Sequence, residues 1–319
     1  MVKQFEKHDG SIVTYIDEIR DEEFKKFIFD NERKNDARIL RDEKKLKAYI
    51  LKLFKELRTK IKNRLSLLYT SYSIDGKLLS QHLLQSANDR DVIEYNDRVK
   101  NLDLRDDLKP LVRESLLVSF TNRAEIMYNN IELDVIETFV KIEEKGEAHI
   151  REQVEEEEIR QSKILNSERR SHKSEIAAAL LLFKTRLWMT HFKKVTSEIK
   201  NISLYSETLA KFNQKLRSIT ERINIANRNI FRLITNEERR ISQQITLSIF
   251  KDNKVEQYVY ITEADRSVCE QCGELHGKIF NRIDAESGVN YPKMHVNCRC
   301  TTFAYNGNKL FDRDNFMWR

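Results

Sequence analysis

Glycine and proline are distributed very unevenly along this 319-residue chain, which contains seven glycines and two prolines. Neither residue occurs between Gly146 and Gly273, whereas five of the nine lie at or beyond Gly273. These are the residues that most often interrupt helices and mark loops. Their distribution therefore predicts that helices dominate up to about residue 250 and that loops follow.

Apolar residues repeat with helical spacing in two long segments. Over 46–68 they recur close to the 3.6-residue period of a helix, with lysine and arginine at most intervening positions. This pattern predicts a long amphipathic helix. Over 209–233 the apolar spacings alternate between three and four, which is close to the 3.5-residue average of a coiled-coil seam. We expect a long paired helix there, with a coiled coil over about 206–250.

Shorter helices are expected between these two segments. Gly76 and Pro110 are the predicted joints, because each residue disfavours a continuing helix. The apolar run 177–182 predicts a helix that is buried on most of its sides. The other expected helices cover 78–102, 111–142 and 146–165.

The expected fold class is mainly α, an elongated bundle of long helices followed by a small C-terminal α+β module that binds zinc. Segments 255–262 and 301–305 are rich in β-branched and aromatic residues, which predicts a strand in each. The chain then divides into an N-terminal helical region (1–75), a long-helix body (76–250) and a C-terminal module (251–319).

All four cysteines lie in that C-terminal module, as Cys269-Glu-Gln-Cys272 and, after 22 further residues, His295-Val-Asn-Cys298-Arg-Cys300. Two close pairs of soft ligands joined by a loop allow four side chains to converge on one tetrahedral ion. We predict a zinc site here, rather than disulfides, because disulfides are usually spread through a small secreted domain. Five donors compete for a four-coordinate ion, so a four-cysteine set and a set of three cysteines and one histidine both remain open.

The predicted zinc ion is structural, and no catalytic residue is assigned. A catalytic zinc keeps one position open to water beside a general acid or base. The zinc deaminases, for example, place a His-x-Glu before the cysteine pair, and this chain has no His-x-Glu there. His276 is expected at the surface, and Asp265 and Glu274 are expected to be solvated loop carboxylates.

Charge gives weaker indications of function. The net charge is +6, and residues 251–319 carry ten basic and ten acidic residues, so a nucleic-acid finger is not indicated. A basic run (41–64) and an acidic run (143–158) are expected to be solvated helix faces, with contact to DNA or to an acidic protein surface as the alternative. No segment has the roughly 20 apolar residues of a membrane span. The sequence shows no targeting signal, so we expect a protein made inside the cell.

The C-terminal module resembles the signature of the phage minor head proteins, the family of phage Mu protein F. Upstream, Arg232-Leu-Ile-Thr235-Asn236-Glu237 is similar to the Arg-x-x-x-Thr-Glu of that family, with one residue inserted or Asn236 in place of the threonine. The matching residues within the module are Tyr258-Val259-Tyr260, Asp265, Cys269-Glu-Gln-Cys272, Gly277-Lys-Ile-Phe280 and Pro292-Lys-Met-His295-Val-Asn-Cys298-Arg299-Cys300.

The resemblance implies a structural protein of head morphogenesis, or minor capsid protein, in a tailed phage or prophage. Such a protein is assembled in the host cytoplasm and resides in the virion head. The resemblance also implies partners among portal and capsid proteins, with contact to packaged DNA and helical self-association as further expectations. The alternative function is an intracellular zinc-dependent hydrolase or a toxin-like effector that carries the same module.

Overall fold

The structure is a computed structural model of the chain. It describes the backbone of residues 2–6, 12–16, 18–19, 22–113, 121–201, 208–262, 268–305, 311–312 and 317–318. Side chains are described for 18–19 and for 22–305 apart from the gaps in that range. Asp265, which forms part of the family signature, lies outside the described residues.

Helices make up 72% of the structure, so the predicted mainly-α class with a small C-terminal sheet is confirmed. Three of the helices exceed 40 residues: α1 (Glu22–Tyr72), α4 (Arg123–Ile164) and α7 (Leu209–Asp252). The remaining helices before α7 are α2 (Ser80–Leu83), α3 (Asp89–Lys100), α5 (Lys173–Arg186) and α6 (Lys193–Lys200), with a π-helical segment, Leu187–Phe192, between α5 and α6. No helix of the described residues is long and apolar enough to cross a membrane.

The amphipathic pattern of α1 is confirmed by its burial. The seven apolar residues that recur at helical spacing are all buried, while most of the lysines between them are exposed. Burying such a stripe is the main source of stability for a helix in a folded protein. These residues are Leu46, Ile50, Leu53, Leu57, Ile61, Leu65 and Leu68.

The predicted joints lie between helices, but the helix expected over 78–102 is interrupted. Gly76, with φ +69°, follows α1, and Pro110 lies in a 3₁₀ turn between α3 and α4. The interruption comes at Asn88, whose side-chain oxygen accepts a hydrogen bond from the backbone N–H of Asp91 at 2.8 Å. This N-cap starts α3 as a separate helix.

The separate helices expected over 111–142 and 146–165 are wrong, because α4 runs continuously through Gly146. A Cβ atom at Gly146 would lie 2.9 Å from Cζ of Phe183 and 3.1 Å from Cδ1 of Ile234. Glycine is therefore required for close packing of α5 and α7 against α4, and it does not end the helix. Packing outweighs the roughly 1 kcal/mol that glycine costs inside a helix.

Replacing Gly146 with valine should destabilise the protein by ~1–3 kcal/mol, since the added methyl groups overfill this contact. Urea unfolding followed by circular dichroism measures the change. Lys141→Ala, at an exposed position of the same helix, is the control and should change stability by less than about 0.5 kcal/mol. If the two variants unfold at the same urea concentration, Gly146 does not have the role assigned to it.

Helix α5 buries one face, which corrects the expectation of a helix buried on most sides. Ile176, Leu180 and Phe183 are buried at spacings of four and three residues, whereas Leu181 is 65% exposed. The apolar run is continuous in sequence, but only the residues one helical turn apart lie on the same face.

The chain forms two compact units, each assembled from segments that are distant in sequence. The first unit contains 1–46, 146–183 and 232–319, and the second contains 47–145 and 184–231. Each of the three long helices contributes to both units, because the division falls inside it.

A three-stranded antiparallel sheet lies in the first unit, with strand order β4-β3-β5. It comprises β3 (Gln257–Ile261), β4 (Ile279–Asn281) and β5 (Thr301–Tyr305). Two separate short hairpins lie nearer the termini: β1 (Val2–Glu6) pairs with β2 (Ile12–Ile16), and β6 (Phe311–Asp312) pairs with β7 (Met317–Trp318). The two predicted strands are confirmed as β3 and β5.

Pairing in the sheet determines where the cysteines lie. Ile261 at the end of β3 is opposite Thr301 at the start of β5. The segment that leaves β3 and the segment that enters β5 therefore lie side by side. On one face of the sheet, Val259 and Phe303 pack against Phe24 at the start of α1, which fixes the sheet within the unit.

Candidate metal centre

The first cysteine pair lies at the start of a short helix, α8 (Glu270–Leu275), which follows β3. Cys269 is the N-cap of this helix, and its sulfur accepts a hydrogen bond from the backbone N–H of Cys272 at 3.4 Å. This local bond fixes the spacing of the pair. Cys272 is buried, whereas Cys269 is partly exposed.

The second cluster is arranged by a tight turn before β5. The backbone N–H of Cys298 donates to the carbonyl of His295 at 3.1 Å, and Asn297 between them has φ +66°. This turn directs Cys298 inward while His295 stays exposed. Cys300, immediately before β5, is also buried.

All five predicted donors lie around Cys272, in two groups of three that share its sulfur. One group is Cys269, Cys272 and His295, the other is Cys272, Cys298 and Cys300, and within each group the donor atoms lie within 4.8 Å of one another. Nε2 of His295 lies 3.1 Å from Sγ of Cys269 and 3.3 Å from Sγ of Cys272. Either group could provide three ligands of a metal ion.

The tautomer of His295 suits metal binding. Its Nδ1 lies 2.8 Å from the carbonyl oxygen of Val296. A carbonyl only accepts hydrogen bonds, so Nδ1 must carry the proton. In the neutral ring the lone pair is then on Nε2, the nitrogen that lies beside the two sulfurs. A hydrogen bond from the second ring nitrogen to a carbonyl is the usual way in which a metal-binding histidine is oriented.

Hydrogen bonds among the buried cysteines shift the pKa values of their thiols in opposite directions. Hydrogen bonds from Cys272 and Cys300 hold the pKa of Cys298 far below its usual range, while the hydrogen bond with Cys298 raises the pKa of Cys272. The cluster thus favours one thiolate and resists the next, as expected when like charges lie close together. A soft divalent cation such as zinc stabilises several thiolates at once, so this donor set fits such an ion.

Tyr260 of β3 packs against the cysteine cluster and forms a hydrogen bond with it. Its hydroxyl donates to the sulfur of Cys272 at 3.6 Å, and its side chain is fully buried. Burial raises the pKa of Tyr260, so the hydroxyl stays protonated and acts as a donor. Val268 and the partly buried Met294 complete an apolar shell that limits the access of water to the sulfurs.

Helix α7 anchors the loop that carries the second half of the donors. The side-chain oxygen of Asn236 accepts hydrogen bonds from the ammonium group of Lys293 and, at 2.9 Å, from the backbone N–H of Asn297. Arg239, one turn further on, approaches the carbonyl of Cys298 at 3.4 Å. The sequence pattern assigns neither residue to the site, although Asn236 lies in the stretch that departs from the family motif, by an inserted residue or by Asn236 in place of the threonine.

Replacing Asn236 with alanine should weaken metal binding by about 10- to 100-fold, because the loop loses the acceptor that orients it. The rate at which a coloured chelator removes the ion from the folded protein measures this loss. Gln244→Ala is the matched control, since Gln244 is an exposed amide on the same helix and accepts a hydrogen bond from Arg240, four residues before it. Equal release rates for the two variants would remove Asn236 from the site.

His276 is buried, so its expected surface position is wrong. Only 2% of it is exposed, and its Nδ1 accepts a hydrogen bond from the backbone N–H of Thr262 at 3.1 Å. It therefore provides a hydrogen-bond acceptor for the backbone N–H where β3 ends. It belongs to neither donor group. Glu274 is exposed, as expected.

Comparison with known proteins agrees with this geometry. Residues 197–303 match the family model described as phage Mu protein F like protein. This segment is similar to the phage Mu protein F family. The Mu F-like segment begins inside α6, includes all of α7 and ends inside β5, so it contains the five donors together with Asn236 and Arg239. It covers about a third of the chain. No curated protein and no solved structure gives a significant match.

Proposed function

We propose that this chain is a minor capsid or head morphogenesis protein of a tailed phage or prophage. The observation that carries the proposal is the family match over 197–303, since the matched family is one of structural head proteins. That family supports a location in the virion and partners among capsid proteins. Within this role we infer assembly in the host cytoplasm, attachment to the portal or the inner capsid surface, and no enzymatic activity.

We further propose that the C-terminal module is held together by one structural zinc ion. The ligands are four of Cys269, Cys272, His295, Cys298 and Cys300. Support comes from the soft donors, from the tautomer of His295 and from the apolar shell around the buried sulfurs. Structural zinc sites have this closed, cysteine-rich character, and their binding energy contributes directly to folding.

Contact with packaged DNA is supported by the exposed face of α1. Lys52, Lys55 and Lys62 are exposed, and none of them forms an ion pair with a residue that the structure describes. Their spacing of three and seven residues places them on one side of the helix, away from the buried stripe. Unpaired lysines along a helix face are suited to phosphate groups, which they bind without base specificity.

Self-association is not assigned to the predicted coiled-coil segment. Phe212, Ile219, Ile223 and Ile230 of its apolar seam are already buried within the single chain. A second copy would therefore find little of this seam available. The coiled coil over 206–250 stays a prediction.

The head role is tested by mass spectrometry of purified proheads and mature particles, with and without a nonsense mutation in this gene. We expect the protein in both particle types in fewer copies than the major capsid protein, and defective particles from the mutant. Supplying the intact gene in trans should restore them. Infectious particles of normal yield that lack the protein would contradict the proposal.

A further inference from the structure

A small polar cavity lies in the first unit, and Cys300 is one of the residues that line it. Its volume is about 40 Å³, which is enough for one or two water molecules or for a small ion. Three long helices and the start of β5 contribute to its wall. Its principal polar residues are Glu32, Gln153, Glu157, Glu238, Gln243 and Thr301.

Two oxygen atoms of residues that line this cavity have unsatisfied hydrogen-bonding capacity. Oε2 of Glu238 and Oε1 of Gln243 are buried, and neither has a hydrogen-bond partner among the described residues. Glu238 is 2% exposed and Gln243 is 8% exposed. Buried polar atoms in native proteins almost always have a partner. Both atoms are acceptors, so the missing partner must be a donor or a cation.

The charged groups in the wall of the cavity do not balance. Four carboxylates and three guanidinium groups line it, which gives a net charge of −1. Glu32 and Glu157 share Arg160, which lies behind the wall. Arg239 forms its ion pair with Glu43, outside the wall.

These pairs leave out two lining carboxylates, Asp36 and Glu238. Glu238 is the more deeply buried of the two, and Arg239 and Arg38 act on its charge only at longer range. It forms no ion pair with a residue in the described part of the chain. Burial raises the pKa of Glu238 to about 7, which reflects the cost of keeping this charge away from water. A positive charge inside the cavity would remove that cost.

We propose that this cavity binds one monovalent metal cation, sodium or potassium, through Glu238 and Gln243. The hydroxyl groups of Ser242 and Thr301 also line the cavity. Cys300 lines it too, but its sulfur belongs to the proposed zinc cluster, and the remaining donors are hard oxygen atoms. Such donors select alkali and alkaline-earth cations over zinc. The net charge of −1 among the lining groups, with three arginines in the wall, favours a monovalent ion over a divalent one.

The consequence is a second cation site, which ties α7 to the start of β5. Gln243 donates from Nε2 to the hydroxyl of Thr301 at 3.4 Å, so an ion held by Oε1 would reinforce an existing connection. The site uses none of the sulfur donors as ligands. It is independent of the proposed phage-head role.

Thermal unfolding of the full-length, zinc-saturated protein tests this site in potassium, sodium or choline chloride at equal ionic strength. We expect potassium or sodium, at about 100 times its Kd, to raise Tm by ~5 °C over choline, which is too large to enter. Glu238→Gln keeps the shape and removes the charge, and it should lose this difference. Gln244→Ala, at an exposed position of the same helix, should keep it.

Equal Tm values in all three salts would overturn the proposal, because the two buried oxygen atoms would then be satisfied by water, or by a proton on Glu238, and not by a metal cation. Stability that depends on pH but not on the cation would overturn it in the same way. If Glu238→Gln does not fold, crystals of the wild-type protein grown with thallium acetate decide. Thallium mimics potassium, so an anomalous peak beside Glu238 supports the site, and an empty cavity excludes it.

Discussion

Replacing Cys272 with serine should abolish metal binding and unfold the C-terminal module. Its sulfur belongs to both groups of donors, so neither group keeps three soft ligands without it. Structural zinc contributes an apparent ~10–16 kcal/mol in small zinc domains, which exceeds the net stability of many of them. Hydrogen exchange followed by mass spectrometry should show β3 and β5 losing their protection.

The control for Cys272→Ser is Glu274→Gln, which changes an exposed carboxylate in the same helix. It should bind metal and exchange hydrogen like the wild type. A Cys272→Ser protein that still holds one ion per chain, with β3 and β5 protected, would show that the shared sulfur is not a ligand. His295→Ala and Cys300→Ser then separate the two ligand sets: a four-cysteine site survives the first change, and a site with His295 and Cys298 survives the second.

Asp134→Ala should cause the second large effect, a loss of roughly 3 kcal/mol in the free energy of unfolding. Asp134 is fully buried in the second unit and accepts hydrogen bonds from Arg64 at 2.6 Å and from Arg98 at 2.8 Å. It joins α4 to α1 and α3. Removing it leaves the partly buried Arg64 without its close carboxylate and leaves Arg98 with Glu137 as its remaining carboxylate partner. The cost of a partly buried charge without its partner exceeds the net contribution of the intact ion pair.

Guanidinium unfolding followed by tryptophan fluorescence measures this effect, since Trp188 belongs to the same unit. Asp107→Asn is the control, because its pair with Arg105 is largely exposed and should contribute less than about 1 kcal/mol. If the two variants were equally stable, Asp134 would not connect the helices as described.

Much of this structure follows from local sequence pattern. The stripe of α1 and the two strands that flank the cysteines could be predicted because periodicity and β-branched content are local properties. That the five cysteine and histidine side chains lie together could be predicted because soft ligands at this spacing are uncommon outside metal sites. Their role as metal ligands stays a prediction. The division into 1–75, 76–250 and 251–319 stays a prediction, since compact units built from distant segments do not test boundaries drawn along the chain.

The errors arise where tertiary contacts determine the outcome. Gly146 resembles a helix breaker, yet it is a packing position whose partners lie tens of residues away. His276 resembles a loop surface residue, yet its ring nitrogen accepts a hydrogen bond from the backbone at the end of β3, a contact that the sequence does not reveal. Asn236 differs from the family motif, and only the folded loop shows that its amide accepts two hydrogen bonds there.

The most direct test of a metal-held Mu F-like segment is the zinc content of the wild-type protein, purified under reducing conditions and measured by native mass spectrometry. One zinc ion per chain is the predicted result, with loss of the ion and of β3–β5 protection when a strong chelator is added. A folded chain that carries no metal, and that keeps the same protection with chelator present, would contradict it.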